Sequence, residues 1–344
     1  MTPIYYYQWT SSRFLRLSMV LLWMLAGALT LPALAVQAAE PAPQGDRSIG
    51  EWLLRLHEAA RQRSFVGTVV VTQSGGGSSA AKVWHVCDGR QQIEKIESLT
   101  GAPRTTIRRN EQVVTFLQDS RVVRNEQRQG LATFPGLLRS GNHTIADHYL
   151  LRSDGSERVA GHDAERFRIV PKDTLRYGYR IWSERTTGLM LRIETLDGDG
   201  KALEQVAFTE LQINAPVRME HLSREMTQTD GYRQERLAQT PTTAAEEGWH
   251  LRTPVAGFRP VSCYRRGSVP SGAAIVQWTF SDGLATVSLF MEPHDRQRHQ
   301  TEGARVMGAT GSWGQRTDDW WITAVGEVPL STLQLFAKAL VRRP

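Results

Sequence analysis

The chain has 344 residues, 40% hydrophobic and 22% charged, proportions that fit a globular protein and exclude a disordered or collagen-like chain. Lys and Arg total 41 against 35 Asp and Glu, a formal net charge of +6, and the mean hydropathy is negative, which excludes a polytopic membrane protein. At about 150 residues per domain, this length suggests two domains.

Arg13 and Arg16 precede an apolar run from Leu17 to Leu29, and small residues follow as Ala33-Leu34-Ala35 and Val36-Gln37-Ala38. Basic, apolar and small-residue regions in that order suit the translocon and then signal peptidase, so residues 1–38 are expected to be a signal peptide. An uncleaved anchor is the alternative, disfavoured because the run is shorter than the ~20 residues that span a bilayer. The mature protein is then exported and soluble.

Ser48 followed by Glu51 offers a capping box, and Ile49, Trp52, Leu53, Leu56 and Ala60 recur at three-to-four spacing. The spacing predicts one amphipathic helix over residues 49–63. From Phe65 to Ile213 short runs rich in Val, Ile, Thr and aromatics alternate with turn residues. They predict strands at 65–73, 81–87, 90–98, 103–109, 112–117, 120–124, 157–161, 164–170, 176–184, 188–196 and 201–212. Asp88-Gly89, Asp154-Gly155 and Asp197-Gly198-Asp199-Gly200 supply the turns of a long antiparallel meander.

One short helix cannot cover so many strands, so the sheet either curls around its own side chains or wraps around an apolar guest. Leu131, Phe134, Leu137, Leu138, Ile145, Tyr149, Leu150 and Leu151 cluster in an interruption broken by Pro135 and Gly141. They predict helical turns that plug or lid the shell, with an ordinary core-filling insertion as the alternative. Phe134, Leu137, Leu138, Ile145 and Tyr149 are the candidate lipid-binding residues.

Residues 215–248 lose the hydrophobic pattern and read as a linker or crossover, or as a strand pair at the sheet edge containing Val217 and Met219. The domains are thus expected at 48–214 and 249–344. The second carries strands at 257–264, 274–281, 284–292, 303–310 and 317–326, a Ser281-Asp282-Gly283 hairpin signal, and a helix opened by Pro329. Together they make a smaller α+β unit.

No GxSxG elbow, P-loop or HExxH is present, and His57-Glu58 has no second His four residues on. Gly75-Gly76-Gly77 lacks the Lys-Ser/Thr of a phosphate loop and reads as a hairpin tip. His143 with His148, and His294 with His299, are five apart and fall on different faces of a helix or strand. No metal, no cofactor and no enzymatic activity are expected. Cys87 and Cys263 form no CxxC pair; one disulfide and two separate thiols both remain open.

Six Arg between Arg104 and Arg128 read as a solvated face; in an exported protein, anionic lipid, lipopolysaccharide phosphate or an acidic protein segment is a more natural partner than nucleic acid. Trp320 and Trp321 point to opposite faces of a strand, one toward a core and one toward a second surface. From His250 to Pro344 there are 11 Lys and Arg against 7 Asp and Glu. Trp320, Trp321, Arg265, Arg266 and Arg316 are therefore the candidate partner-binding residues, suited to an acidic segment through steering.

Several blocks carry a family resemblance. Ile145-Ala146-Asp147-His148-Tyr149, Arg158-Val159-Ala160-Gly161, Arg176-Tyr177-Gly178-Tyr179-Arg180-Ile181-Trp182, Thr187-Gly188-Leu189-Met190-Leu191-Arg192 and Glu204-Gln205-Val206-Ala207-Phe208-Thr209-Glu210 resemble the RseB/MucB family of periplasmic sigma-E regulators. Pro254-Val255-Ala256-Gly257-Phe258, Phe280-Ser281-Asp282-Gly283-Leu284-Ala285, Ser288-Leu289-Phe290, Gly308-Ala309-Thr310 and Val325-Gly326-Glu327-Val328-Pro329 extend it through the second unit. The resemblance implies an α+β protein whose N-terminal half-open antiparallel β-barrel is similar to the carriers LolA and LppX, with helices on its concave side. It also implies a periplasmic protein that binds the periplasmic segment of an RseA- or MucA-type anti-sigma factor and shields it from regulated proteolysis. Envelope lipid, lipopolysaccharide or lipoprotein acyl chains would release it. A periplasmic lipid or lipoprotein carrier is the alternative, and a homodimer is open. The Cys pair and the Gly75-Gly76-Gly77 tip are not part of the family pattern.

Overall fold

The computed structural model describes residues 48–127, 145–236, 239–267 and 274–343. The expected signal peptide and three of the candidate lipid-binding residues, Phe134, Leu137 and Leu138, lie outside the described residues.

The capping box forms: Ser48 Oγ accepts from the Glu51 N–H and a Glu51 carboxylate oxygen accepts from the Ser48 N–H, each at 3.2 Å. Helix α1 (Ile49–Arg61) follows, with Ile49, Trp52, Leu53, Leu56, Ala59 and Ala60 on its buried stripe. The first large sheet then runs through β1 (Phe65–Gln73), β2 (Ser78–Cys87), β3 (Gln92–Ser98), β4 (Arg104–Arg109), β5 (Gln112–Leu117) and β6 (Val122–Gln127). After the short helix α2 (Ile145–His148) come β7 (Tyr149–Val159), β8 (His162–Pro171), β9 (Gly178–Glu184), β10 (Met190–Leu196) and β11 (Ala202–Ile213). Helix α3 (Met219–Thr227) and β12 (Arg233–Arg236) complete it.

The spatial order is β12-β6-β5-β4-β3-β2-β1-β11-β10-β9-β8-β7. The first and last strands of the meander, β1 and β11, pair in the middle, and two series of strands fan out to β12 and β7, the edges among the described residues. Among the described residues the sheet is open, and no closed barrel forms.

Directly opposed residues share a face, so the registers Phe65↔His85↔Glu94 and Trp84↔Lys95↔Ile107↔Val114 define its two sides. Helix α1 covers the first side over β7 to β10, where Trp52, Leu53 and Leu56 meet Phe167, Ile169, Tyr179 and Ile181. Helix α3 covers the other side over β2 to β6, where Leu222 and Met226 meet Ile93, Ile107, Val114, Phe116 and Val123.

The second sheet is built from β13 (Gln239–Pro241), β15 (Arg259–Arg266), β16 (Ile275–Ser281), β17 (Thr286–Pro293), β18 (Gly303–Met307), β19 (Thr310–Thr317) and β20 (Trp320–Gly326), ordered β13-β15-β16-β17-β20-β19-β18. The short strands β14 (Trp249–Leu251) and β21 (Leu340–Arg342) pair beside it. Helix α4 (Leu330–Ala339) packs Leu333, Phe336 and Ala337 against Val287, Leu289, Met291, Ile322 and Ala324 on one face.

Three expectations shift. Residues 303–310 and 317–326 were expected as two strands; the chain instead makes three, because Gly308 at φ +59° turns β18 into β19. The stretch 215–248 is not bare linker but contains α3, β12 and β13. Tyr149, Leu150 and Leu151 open the edge strand β7 rather than continuing a plug. No helix among the described residues is long and apolar enough to cross a membrane.

Candidate functional site

The alternation predicted for the tryptophan pair is present, but it leads elsewhere. Trp320 lies on the α4 face, half-buried, with its ring edge-on to Trp249 at 5.4 Å and the Arg342 guanidinium 4.2 Å above it. Trp321 faces the opposite side, yet it is only 8% exposed, because His299 stacks flat on it at 4.8 Å and Gly314 lies beneath. Neither indole stands free as an anchor.

The three candidate arginines do not form one patch either. Arg265 and Arg266 are neighbours on β15 and point to opposite faces; Arg265 is held by Glu247 at 2.8 Å. Arg316 on β19 sits opposite Trp321 and shares its face with Arg266, but β16, β17 and β20 lie between them. At about 4.8 Å per strand, the two are on the order of 19 Å apart. Between them the same face presents half-exposed Tyr264, Gln277, Thr279, Ser288, Phe290 and Thr323, with Gln277, Thr279 and Ser288 joined by hydrogen bonds of 3.1–3.4 Å. This face lies away from α4 and is broad, polar and aromatic. Its signal in the sequence is the alternation of Ser288 and Phe290 with Val287, Leu289 and Met291, whose side chains fill the core.

Of the lipid-binding candidates within the described residues, Ile145 is 3% and Tyr149 1% exposed. Both fill the core beneath α1 with Trp52 and Leu53. An open cleft of about 480 Å³ lies on the α3 side instead, lined by Val66, Trp84, Lys95, Pro216, Val217, Arg218, His221, Leu222 and Glu225 among others. Its walls are largely apolar, and its rim carries Lys95, Arg218 and His221 together with the acidic Glu225. Lys95 stands 4.8 Å from the Trp84 ring centre and is tied to Glu225 of α3 at 2.7 Å.

Apart from Tyr149, expected as a lipid contact, the residues that join the two sheets were not anticipated as functional. Arg176, on the loop before β9, has a fully buried side chain whose Nη1 donates to Asp282 Oδ2 at 2.7 Å. Its other nitrogens donate to Asp173 Oδ1 and to the Ala256 carbonyl, each at 2.9 Å. The Tyr149 hydroxyl donates to the same Asp282 oxygen at 2.9 Å. Asp282 Oδ1 accepts the backbone N–H groups of Leu284 and Ala285, closing the β16–β17 turn. Thr332 of α4 adds a bond to the Leu175 carbonyl at 2.8 Å. Burial, together with Tyr179 and the Asp282 carboxylate, pushes the Tyr149 hydroxyl well above its usual range. Burial works against the Arg176 charge, but Asp173 and Asp282 outweigh it and hold the guanidinium firmly protonated. Gly257 is required here: its φ is +81°, and a Cβ would lie 2.7 Å from Arg176 Nη2 and 2.8 Å from the His148 ring.

Cys87 ends β2 and Cys263 lies in β15; each is half-buried and each is a free thiol, so of the two alternatives weighed from sequence the bridge is not formed here. Among the described residues no group of His, Cys, Asp and Glu has the arrangement of a metal site.

The architecture has counterparts among known proteins. The family model described as the MucB/RseB N-terminal domain matches residues 48–226, and that of the MucB/RseB C-terminal domain matches 243–341. The sigma factor AlgU regulatory protein MucB of Pseudomonas aeruginosa is 30% identical over 338 residues, covering 93% of this chain and 96% of that protein. The sigma-E factor regulatory protein RseB of Haemophilus influenzae is 23% identical over 262 residues, 72% of this chain and 77% of that one. A crystal structure of MucB in complex with MucA(peri) superposes with a TM-score of 0.64 at 27% identity, over 86% of this chain and all of that chain. The complex of Pseudomonas aeruginosa MucA and MucB gives 0.65 at 28% identity, over 86% of this chain and 99% of that one. With one family model over each sheet and a relative matched along nearly its whole length, the chain belongs to the MucB/RseB family.

Proposed function

We propose that this chain is a periplasmic, non-enzymatic regulator that binds the periplasmic segment of a MucA-type membrane anti-sigma factor and shields it from regulated proteolysis. One observation carries the reading: the chain matches MucB, solved in complex with MucA(peri), across both sheets and at 27% identity. The N-terminal apolar segment with its small-residue cleavage pattern supports export. The second sheet supplies the partner surface, on the face that carries Tyr264, Phe290, Arg266 and Arg316, where aromatic contact area and positive charge suit an acidic, extended segment.

Release by an envelope lipid or lipopolysaccharide signal is assigned to the first sheet, and the cleft beside α3 is the concavity we assign to the ligand. Its apolar walls fit an acyl chain, and Arg218 and Lys95 on its rim fit an anionic head that would compete with Glu225 for Lys95. For release to work, the signal must bind the free regulator more tightly than the complex, since only differential affinity shifts an equilibrium. Affinity capture from envelope extract tests the assignment. Recovery of a single-pass anti-sigma factor supports it; recovery of a broad set of lipoproteins and no anti-sigma factor replaces the regulator with a carrier.

A further inference from the structure

On the face of the first sheet that α1 shares, β2 carries His85 and Cys87 two residues apart, so both side chains point to the same side. The register sets Glu94 directly opposite His85 and Gln92 directly opposite Cys87. The His85 side chain is 1% exposed and stacks on Phe65, with ring centres 4.8 Å apart and planes 12° from parallel. His85 Nδ1 lies 3.7 Å from Glu94 Oε2, close enough to pair as charges and too far for a hydrogen bond. Among the described residues, both ring nitrogens of His85, Glu94 Oε2 and Gln92 Oε1 are buried without a hydrogen-bond partner. Folds rarely leave such groups unmet, and four of them beside one half-exposed thiol form a small polar site, with a donor and an acceptor awaiting a ligand.

Burial pushes the His85 imidazole down, but its contacts with the Cys87 thiol and the Glu94 carboxylate outweigh this and bring it to about 9, so the ring is cationic at neutral pH. Arg108 of β4 faces Glu94 from the far side on the same face. Cys263 has the opposite surroundings: burial, then Glu247 and Glu246, push its thiol up to about 11. Thiols beside an imidazolium are the reactive kind, and thiols buried near carboxylates are not.

We infer that Cys87 is a modification site, a thiol oxidised by small hydroperoxides, with His85 as the proton donor and Gln92 as the acceptor that holds the oxidant. The Cys87 sulfur, as thiolate, attacks the distal peroxide oxygen, and the O–O bond breaks. The sulfur is oxidised by two electrons to a sulfenic acid, Cys–SOH, and the peroxide is reduced. The departing hydroxide or alkoxide takes the proton of the His85 imidazolium and leaves as water or alcohol. His85 is then neutral and regains its proton from solvent. Glu94 keeps the ring oriented and charged.

The test uses the full chain. It is exposed to hydrogen peroxide at neutral pH with dimedone present to trap sulfenic acid, and label at Cys87 and at Cys263 is followed by peptide mass spectrometry. Cys87 is expected to label about tenfold or more faster than Cys263. Equal rates, or faster labelling of Cys263, overturn the inference without any variant. His85→Asn, and Glu94→Gln should the first not melt cooperatively, are expected to slow Cys87 about tenfold while the rate at Cys263 stays as it was. A folded variant that leaves the Cys87 rate unchanged removes His85 from the site and the inference with it.

Discussion

Asp282 uses one carboxylate for two purposes: one oxygen closes its own turn through Leu284 and Ala285, and the other holds Arg176 and Tyr149 of the first sheet. Both charged side chains are fully buried, so removing Asp282 leaves the Arg176 guanidinium with only the partly exposed Asp173 as its ion-pair partner. Breaking such a pair costs about 3–5 kcal/mol, whereas an exposed ion pair is worth about 1 kcal/mol or less. Asp282→Ala is therefore expected to lower urea stability by about 3–5 kcal/mol, and Arg158→Ala, at an exposed pair, by less than about 1 kcal/mol. Equal small losses would mean that the junction does not hold the two sheets. His85 makes stability depend on pH. Its folded value near 9 exceeds its ordinary 6.5, so its contribution is fully present below pH 6.5 and is lost as pH rises through 9. The gap corresponds to on the order of 3 kcal/mol. Urea midpoints between pH 6 and pH 9.5 should fall further for the native chain than for His85→Asn; parallel curves would show that the imidazolium is not stabilised in the fold.

At the scale of elements, what could be read from the sequence and what could not have physical causes. Helix α1 was legible because its capping box and its stripe of Trp52, Leu53 and Leu56 repeat at the helical period. The strands were legible where alternation and turn residues agree, as in β1 and β5, whose bounds match the expected ones. Helix α3 was not, because Arg218 offers no side-chain cap and only Leu222 and Met226 are buried on it. The polar run of β12 pairs with β6 through its backbone ladder and one Arg124–Glu235 ion pair at 3.3 Å, neither of which leaves a periodic mark in the sequence. Of the candidate sites, the opposite facing of Trp320 and Trp321 was legible, but the loop that brings His299 onto Trp321 was not, since stacking across a loop has no periodicity. The Arg176–Asp282 junction was hidden in the same way, its partners being 106 residues apart. Leu53 and Leu222 offer a comparison between the two helices: each is at most 2% exposed, and each Leu→Ala change is expected to cost about 2–5 kcal/mol. If Leu222→Ala costs nothing by denaturant titration, α3 does not belong to the core of the first sheet.

In the whole molecule, the second sheet, proposed as the partner-binding part, is held to the first by the buried Arg176–Asp282 junction. Charge at the partner face should act mainly on association rate, so Arg266→Glu combined with Arg316→Glu is expected to slow binding and weaken its dependence on salt. Loss of cooperative folding in that double variant would instead mark the arginines as structural. The central claim is tested most directly by isothermal titration of the full mature chain with the purified periplasmic segment of the MucA-type anti-sigma factor from the same organism. Saturable binding with a defined stoichiometry, weakened at least about tenfold by Phe290→Ala in a chain that still melts cooperatively, is the predicted result. No heat of binding at concentrations well above the micromolar range, from a chain shown to be folded, would contradict the account.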